Sequence, residues 1–268
     1  MNTPAPYQAI AVAHDGPVAT VTLNRPQARN AMTMGMVLEL HSALEDAEHD
    51  GQTRVIVLRG AGGHFSAGAD IKEMAAARMR LAADSEAIVK TSAAFGDLCV
   101  AYSRTPLALV AVPEGTVMGG GFGLTCVADV VVAGETAVFR LPETSLGVVP
   151  AQIAPFLVER LGYSEAKRLA VTGGQFDARE ALALRLVHEV HAPDALDAAV
   201  ARVVRQILQS APRALGATKA LIARARLHTP ESLVPHAAEV FSHAALSEEG
   251  TEGQTAFLAR RKAKWMPT

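Results

Sequence analysis

Apolar residues fall in two rhythms along this chain: short β-branched runs, and longer stretches with apolar positions three or four apart. Ile10–His14 and Val18–Asn24 are β-rich and flank Asp15–Gly16–Pro17, so they predict a hairpin. Pro26 ends the second strand, because it has no N–H to give a ladder. Met36, Val37, Leu40, Ala43, Leu44 and Ala47 form one helical stripe within Met32–Asp50. Arg54–Gly60 predicts a buried strand. Helices follow over Ile71–Ala83 and Ser85–Ser103, the second carrying Ile88, Phe95, Leu98 and Tyr102.

Leu107–Val112 predicts another strand, Gly120–Ala128 a helix, and Asp129–Ala133 and Ala137–Leu141 two more strands. Helical period covers Ala151–Leu161, Ser164–Thr172, Ala178–Leu184 and Asp194–Ser210, with Asp177 and Asp194 as N-cap residues. Strands alternate with helices to about Val190, and only helices are expected from Asp194 to Trp265. The fold class is α/β: a β/α core followed by a helical extension.

Two turns in that pattern invite chemistry. Met118–Gly119–Gly120–Gly121–Phe122–Gly123–Leu124 follows one buried strand, and Phe65–Ser66–Ala67–Gly68–Ala69–Asp70 follows another. Consecutive glycines cost backbone entropy and contribute no side-chain packing, so they suit a ligand's close approach to bare amides. If Ala69 and Gly120 both open helices, their N–H groups and the helix dipoles converge on a developing oxyanion. The plainer reading is that these glycines only let a helix pack tightly on a strand.

Glu143, in Phe139–Arg140–Leu141–Pro142–Glu143–Thr144, is the carboxylate that can serve such a site. Pro142 fixes φ and places Glu143 at a strand end or turn. Leu141, Leu146, Val148 and Val149 are expected to desolvate the carboxyl and raise its pKa, as suits a general acid/base. The alternative is a capping or salt-bridged surface glutamate.

Bulk composition narrows the field. The 268 residues are 50% hydrophobic, 19% charged and only 4% aromatic, enough for a large core packed from small residues. A net charge of −2 and a pI near 6.5 point away from nucleic acid and anionic membranes as partners. Two cysteines, Cys99 and Cys126, give neither a disulfide framework nor a zinc site. No apolar run reaches the ~18 residues of a membrane span. Met1–Gln8 lacks a basic region followed by an apolar block, so a cytoplasmic protein is expected.

Other catalytic patterns fail. There is no GxxxxGK[ST], no GxGxxG placed after a strand and no GxSxG, and His188 to His191 is too close for a helical zinc pair. His64 reads as a solvated loop histidine, Ser66 lacks triad partners, and Asp70 reads as ordering its own turn.

Taken together, several motifs in order resemble the enoyl-CoA hydratase/isomerase family, the crotonase superfamily. They are Leu23–Asn24–Arg25–Pro26–Gln27–Ala28–Arg29–Asn30–Ala31, Phe65–Lys72, Met118–Gly123, Pro142–Glu143 and Phe257–Lys262. The resemblance implies a crotonase (ClpP-like) spiral of ββα repeats over 1–193, and helices over 194–268 that build trimers, often paired into hexamers. It implies an acyl-CoA substrate, no cofactor and no metal. Ala69 and Gly120 match the oxyanion-hole amides and Glu143 the catalytic acid/base. Ala67 matches a carbonyl contact to adenine, and Ala28 lies in the matching loop. Asp70, Ile71, Lys72 and Gly119, in or just after the two turns, are expected to bind the acyl-CoA with them. Phe257 and Arg260 match C-terminal positions that meet CoA, usually from a neighbouring subunit. Gln27 stands where many relatives carry Lys, which leaves Arg29 or Arg25 for the phosphates.

One departure matters most. Typical hydratases of the family carry two catalytic glutamates, and here Gly123 stands in place of the first. The segment Phe139–Phe156 with the glycine run is similar to bacterial glutaconyl-CoA hydratases. Those act on 3-methylglutaconyl-CoA in leucine breakdown or isohexenylglutaconyl-CoA in acyclic terpene breakdown; the Pro-Ala-Gln-Ile-Ala-Pro wording looks closer to the isohexenyl branch. The second carboxylate of such a substrate needs a cation or several N–H donors, for which Arg140 and Lys72 are candidates. Met74, Met79, Phe95 and Met118 are candidates to line an adaptable acyl pocket. Isomerisation of a 3-enoyl-CoA and plain CoA-thioester binding are the other readings.

Overall fold

The computed structural model describes residues 7–267, so most of the Met1–Gln8 stretch lies outside the described residues. Strands β1 (Ile10–Asp15) and β2 (Val18–Leu23) form the expected antiparallel hairpin, in register from Ile10↔Leu23 to Asp15↔Val18. Strands β3 (Val55–Gly60), β4 (Ala108–Val112), β6 (Val130–Gly134) and β9 (Glu189–His191) extend it in parallel, in the order β1-β2-β3-β4-β6-β9. A smaller sheet joins β5 (Thr116–Met118), β7 (Val138–Arg140) and β8 (Gln175–Asp177). The three-residue strands β5, β8 and β9 escaped the sequence reading, since three residues carry too little alternation to reveal a period.

Helices α1 (Met34–His49), α3 (Ala87–Arg104), α4 (Gly120–Val127) and α5 (Ala154–Thr172) pack the first face, and α2 (Ile71–Met79) lies against α3. Strand–strand–helix units recur as β1–β2–α1, β4–β5–α4 and β6–β7–α5. All six stripe residues of α1 are buried. Ile88 of α3, by contrast, is exposed, while Leu98 and Tyr102 are fully buried. The predicted pair of helices after Ala151 is one element that breaks its helical dihedrals at Gly162, where φ is +75°.

Helix α6 (Ala178–Ala183) starts from a capping box between Asp177 and Glu180. Helix α7 (Pro193–Ile207) starts one residue earlier than expected. Pro193 takes its first turn and Ala192 the cap position, so Asp194 is not the N-cap. Its Leu196, Ala199, Val200, Val203 and Val204 cover the second face of the main sheet, against Val55, Val57, Val110 and Val132. Burial on both faces explains why those strands read as unbroken apolar runs.

Helices α8 (Pro212–Ala225) and α9 (Pro230–Leu246) contain no buried residue, and α10 (Glu248–Leu258) buries only Ala256. Phe241 is 75% and Phe257 84% exposed. A cavity of about 790 Å³ lies among these helices and is lined by residues that include Ala217, Val240, Phe241 and Trp265. Among the described residues no helix is long and apolar enough to cross a membrane.

Candidate active site

An aromatic cluster fixes the smaller sheet to α4. Phe122 of α4 meets Phe139 of β7 and Phe176 of β8 edge-on, at 5.9 and 6.0 Å between ring centroids. Phe139 and Phe176 stack at 5.6 Å. β5 pairs with β7 so that Met118 lies opposite Arg140, and Gly119 N donates to Arg140 O at 3.2 Å. The glycine turn and the chain leading to Glu143 are therefore bonded side by side.

Glu143 opens a short 3₁₀ turn, Glu143–Leu146, that ends at Gly147 in the left-handed region. A Cβ added to Gly119 would stand 3.0 Å from Glu143 Oε1, so a side chain there would press on the carboxylate. Glu143 Oε2 is buried and has no hydrogen-bond partner among the described residues. Burial pushes the carboxyl above its usual pKa, and its own backbone N–H offsets only part of that. The expected flanking wall is mostly absent. Leu141 is buried, but Leu146, Val148 and Val149 are exposed, the last to 71%. The neighbour that closes on the carboxylate is instead the glycine turn at Gly119.

The second turn abuts the first. Ser66 N donates to Thr116 O and Met118 N to Ser66 O, so Ser66 bridges to Val117 like an extra strand residue. A Cβ on Gly68, whose φ is +86°, would meet Met118 O at 2.8 Å and Gly120 N at 3.3 Å. Only glycine permits that approach. Met32 N donates to Gly68 O and Asp70 N to Met32 O, which leaves the intervening Ala69 N without an acceptor among the described residues. Gly120 N, at the first turn of α4, is likewise unspent. Two free amides thus flank one junction, beside Glu143. Such a pair can hold an oxygen that gains charge while a buried carboxylate moves protons.

The surrounding residues show how this junction is held. Asn30, at φ +55°, is fully buried; its amide donates to Ala61 O and His64 O while its Oδ1 accepts from Arg25 N. Ser66 Oγ donates to Asn30 O and accepts from Gly68 N, which is a structural use of that hydroxyl. The sequence marked Asn30 only as part of the Leu23–Ala31 motif, with no role for its side chain. Asp70 caps α2 through Lys72 N and pairs with Arg25 Nη1 at 3.0 Å. Burial alone would raise the Asp70 pKa, but the Arg25 hydrogen bond and helix amides bring it below the usual range.

That pairing commits Arg25, whereas the exposed Arg29 has no side-chain partner among the described residues. Ala67 N donates to Arg29 O, bringing the Ala28–Arg29 loop beside Ala67. Ile71 and Lys72 are exposed at the start of α2. Arg140 does not form a surface ion pair among the described residues; its Nε donates to Gly173 O. Phe257 lies on α10 and Arg260 just beyond it, both exposed, and α10 packs mainly on α9. His64 is not a solvated loop histidine: it is half-buried, and Nδ1 accepts from Thr116 N at 3.1 Å. Glu114 pairs with Arg59.

Position 123 is filled by an apolar neighbour. A Cβ on Gly123 would stand 2.3 Å from Ile153 Cγ2 and 3.6 Å from Phe95 Cζ. Phe95 also reaches Gly120, together with Met32. Of the predicted pocket methionines, Met74 and Met79 are exposed.

Residues 14–267 match the family described as enoyl-CoA hydratase/isomerase. A probable enoyl-CoA hydratase of Rhizobium meliloti is 35% identical over 97% of this chain and 98% of its own. A 2,3-dehydroadipyl-CoA hydratase of Escherichia coli is 32% identical over 91% of this chain and 93% of its own. Among solved structures, Pseudomonas aeruginosa AtuE superposes with a TM-score of 0.93 and 47% identity, covering 97% and 100% of the two chains. An enoyl-CoA hydratase/isomerase from Marinobacter aquaeolei gives 0.91 and 43%, covering 96% and 98%. Matched from end to end in sequence and in fold, the chain belongs to the enoyl-CoA hydratase/isomerase family and is an enzyme of the enoyl-CoA hydratase type.

Proposed function

We propose that this enzyme adds water across the 2,3 double bond of a branched glutaconyl-CoA thioester, isohexenylglutaconyl-CoA before 3-methylglutaconyl-CoA. The observation that carries the chemistry is Glu143: half-buried, raised in pKa, with Oε2 unpartnered, beside two turns whose amides are unspent. In this reading Ala69 N–H and Gly120 N–H hold the thioester oxygen. Glu143 takes a proton from water as its oxygen attacks C3, and the electron pair of the double bond moves into the enolate. Glu143 then returns that proton to C2, which gives net addition of water and restores the carboxylate.

The branch assignment rests on the resemblance of Phe139–Phe156. Support for a diacid acyl group comes from the Escherichia coli relative, whose name specifies a dicarboxylic enoyl thioester. Ala28, Arg29, Ala67, Ile71 and Lys72 would carry the CoA moiety, with Gly119 and Asp70 shaping the turns. Phe257 and Arg260 would reach it from a neighbouring subunit of a trimer or a hexamer. The exposed apolar residues of α8–α10 support such an assembly. No cofactor beyond the CoA of the substrate enters this scheme.

Ile153 at Gly123 favours one further reading. A single carboxylate suffices to carry a proton between C2 and C4, which is Δ3,Δ2-isomerisation. Purified enzyme offered isohexenylglutaconyl-CoA, 3-methylglutaconyl-CoA and a 3-enoyl-CoA separates these outcomes. The proposal expects hydration of the first two and a higher kcat/KM for the isohexenyl compound. Isomerisation alone contradicts it, and no turnover of any of the three makes the chain a thioester-binding protein.

A further inference from the structure

Helix α3 presents Ser92, Phe95 and Gly96 on successive turns of one face, since positions three and four apart lie above one another. Phe95 packs over the sites where Cβ atoms would stand on Gly120 and Gly123, at 3.1 and 3.6 Å. Gly96, a glycine inside a helix, costs helix stability, and its packing supplies the reason. A Cβ there would stand 2.3 Å from Gln152 Oε1, so Gln152 occupies the notch that Gly96 leaves. The next residue, Ile153, fills the equivalent notch at Gly123 on α4.

Gln152 and Ile153 therefore close the space between α3 and α4, one polar and one apolar. Gln152 Nε2 donates to Ser92 Oγ at 3.0 Å. A side-chain amide has two N–H donors and a serine one O–H. The second Gln152 N–H and the Ser92 O–H have no acceptor among the described residues, and both side chains are half-buried. Met32, Phe95 and Ile153, which pack directly over the first turns of α4, are all apolar. The Ser92–Gln152 pair is a polar group adjoining Phe95 and Ile153 in the chain.

We propose that Ser92 and Gln152 form the subsite for the distal carboxylate of the acyl group. Two adjacent, unspent donors suit the two oxygens of a carboxylate, which must be hydrogen-bonded once it leaves water. Neutral donors do this without placing a cation near Glu143, where positive charge would pull the general base's pKa down. Of the two cations the sequence offers, Arg140 donates its Nε to Gly173 O, and Lys72 is exposed at the start of α2.

The inference rests on the diacid reading of the substrate, and one kinetic experiment separates the two. Wild type, Ser92→Ala, Ser92→Thr and Gln152→Met are assayed with 3-methylglutaconyl-CoA and 3-methyl-2-pentenoyl-CoA, in which a methyl replaces the distal carboxylate. Circular dichroism confirms that each variant is folded. Ser92→Ala and Gln152→Met should each lower kcat/KM for the diacid about tenfold, the worth of one hydrogen bond to a charged group. The loss should lie in KM, with Ser92→Thr close to wild type and the neutral thioester changed by less than about twofold. Parallel losses on both thioesters, or none on either, overturn the subsite. A wild type that does not prefer the diacid overturns the substrate reading and the subsite with it. A preference that survives both substitutions overturns the subsite alone.

Discussion

Ile153 occupies the space into which a side chain at Gly123 would project: a Cβ there would lie 2.3 Å from Ile153 Cγ2. Real Cβ atoms do not approach so closely, so the two positions are coupled. Gly123→Ala gains helix propensity worth about 1 kcal/mol, yet overpacking costs about 1–3 kcal/mol. We expect net destabilisation, relieved when Ile153→Ala, which removes Cγ2, is added. Urea midpoints of the two single variants and the double variant give the coupling directly, and additive effects would contradict the contact.

Asn30 holds three backbone groups from one buried side chain. Asn30→Ala leaves those groups unpaired and should cost about 3 kcal/mol, judged from penalties of about 1–3 kcal/mol per unsatisfied buried group. Because Ser66 hangs on Asn30 O, the 66–69 turn should loosen and kcat should fall as well. Thermal denaturation with steady-state kinetics checks both effects.

Asp70 is held below the usual carboxylate range, burial opposing the Arg25 bond that lowers it. A depressed folded pKa contributes stability that is present above the unfolded value and lost as pH falls through the folded one. Stability of the wild type should therefore decline below about pH 4, more steeply than that of Asp70→Asn. Urea titrations on both proteins, from neutral pH down through the ordinary carboxylate range at about pH 4, test this.

Phe241 and Phe257 project from helices that bury almost nothing within one chain. In the proposed trimer these faces meet a neighbour. Phe241→Glu should shift sedimentation from the assembled form toward monomer and lower activity, if the neighbour's Phe257 and Arg260 complete the CoA site. A wild type that sediments as a monomer would refute that arrangement.

Much of this was legible in the sequence because the signals are periodic or chemically singular. The α1 stripe, the hairpin at Asp15–Gly16 and the Gly119–Gly121 run each follow from local rules. What escaped depends on contacts distant in sequence. Glu143 is desolvated by the glycine turn and not by Val148 and Val149, which follow it in sequence. His64 reads as a loop residue until Thr116, 52 positions away, donates to it. Gly96 and Gly123 look like helix defects until Gln152 and Ile153 are seen to fill them.

Glu143 also makes a pH prediction of the opposite sign. Its folded pKa is raised above the ordinary 4.5. In the window from 4.5 up to that raised value the folded state binds the extra proton, so stability falls as pH rises. Glu143→Gln should abolish this slope and raise the Tm at neutral pH.

The same variant tests the central claim most directly. Turnover of 3-methylglutaconyl-CoA by Glu143→Gln, measured alongside its affinity for CoA, separates proton transfer from binding. We predict that kcat falls at least about a thousandfold, within the range that general acid–base catalysis supplies, while CoA affinity changes by less than about fivefold. A variant that retains wild-type turnover would remove Glu143 from the mechanism.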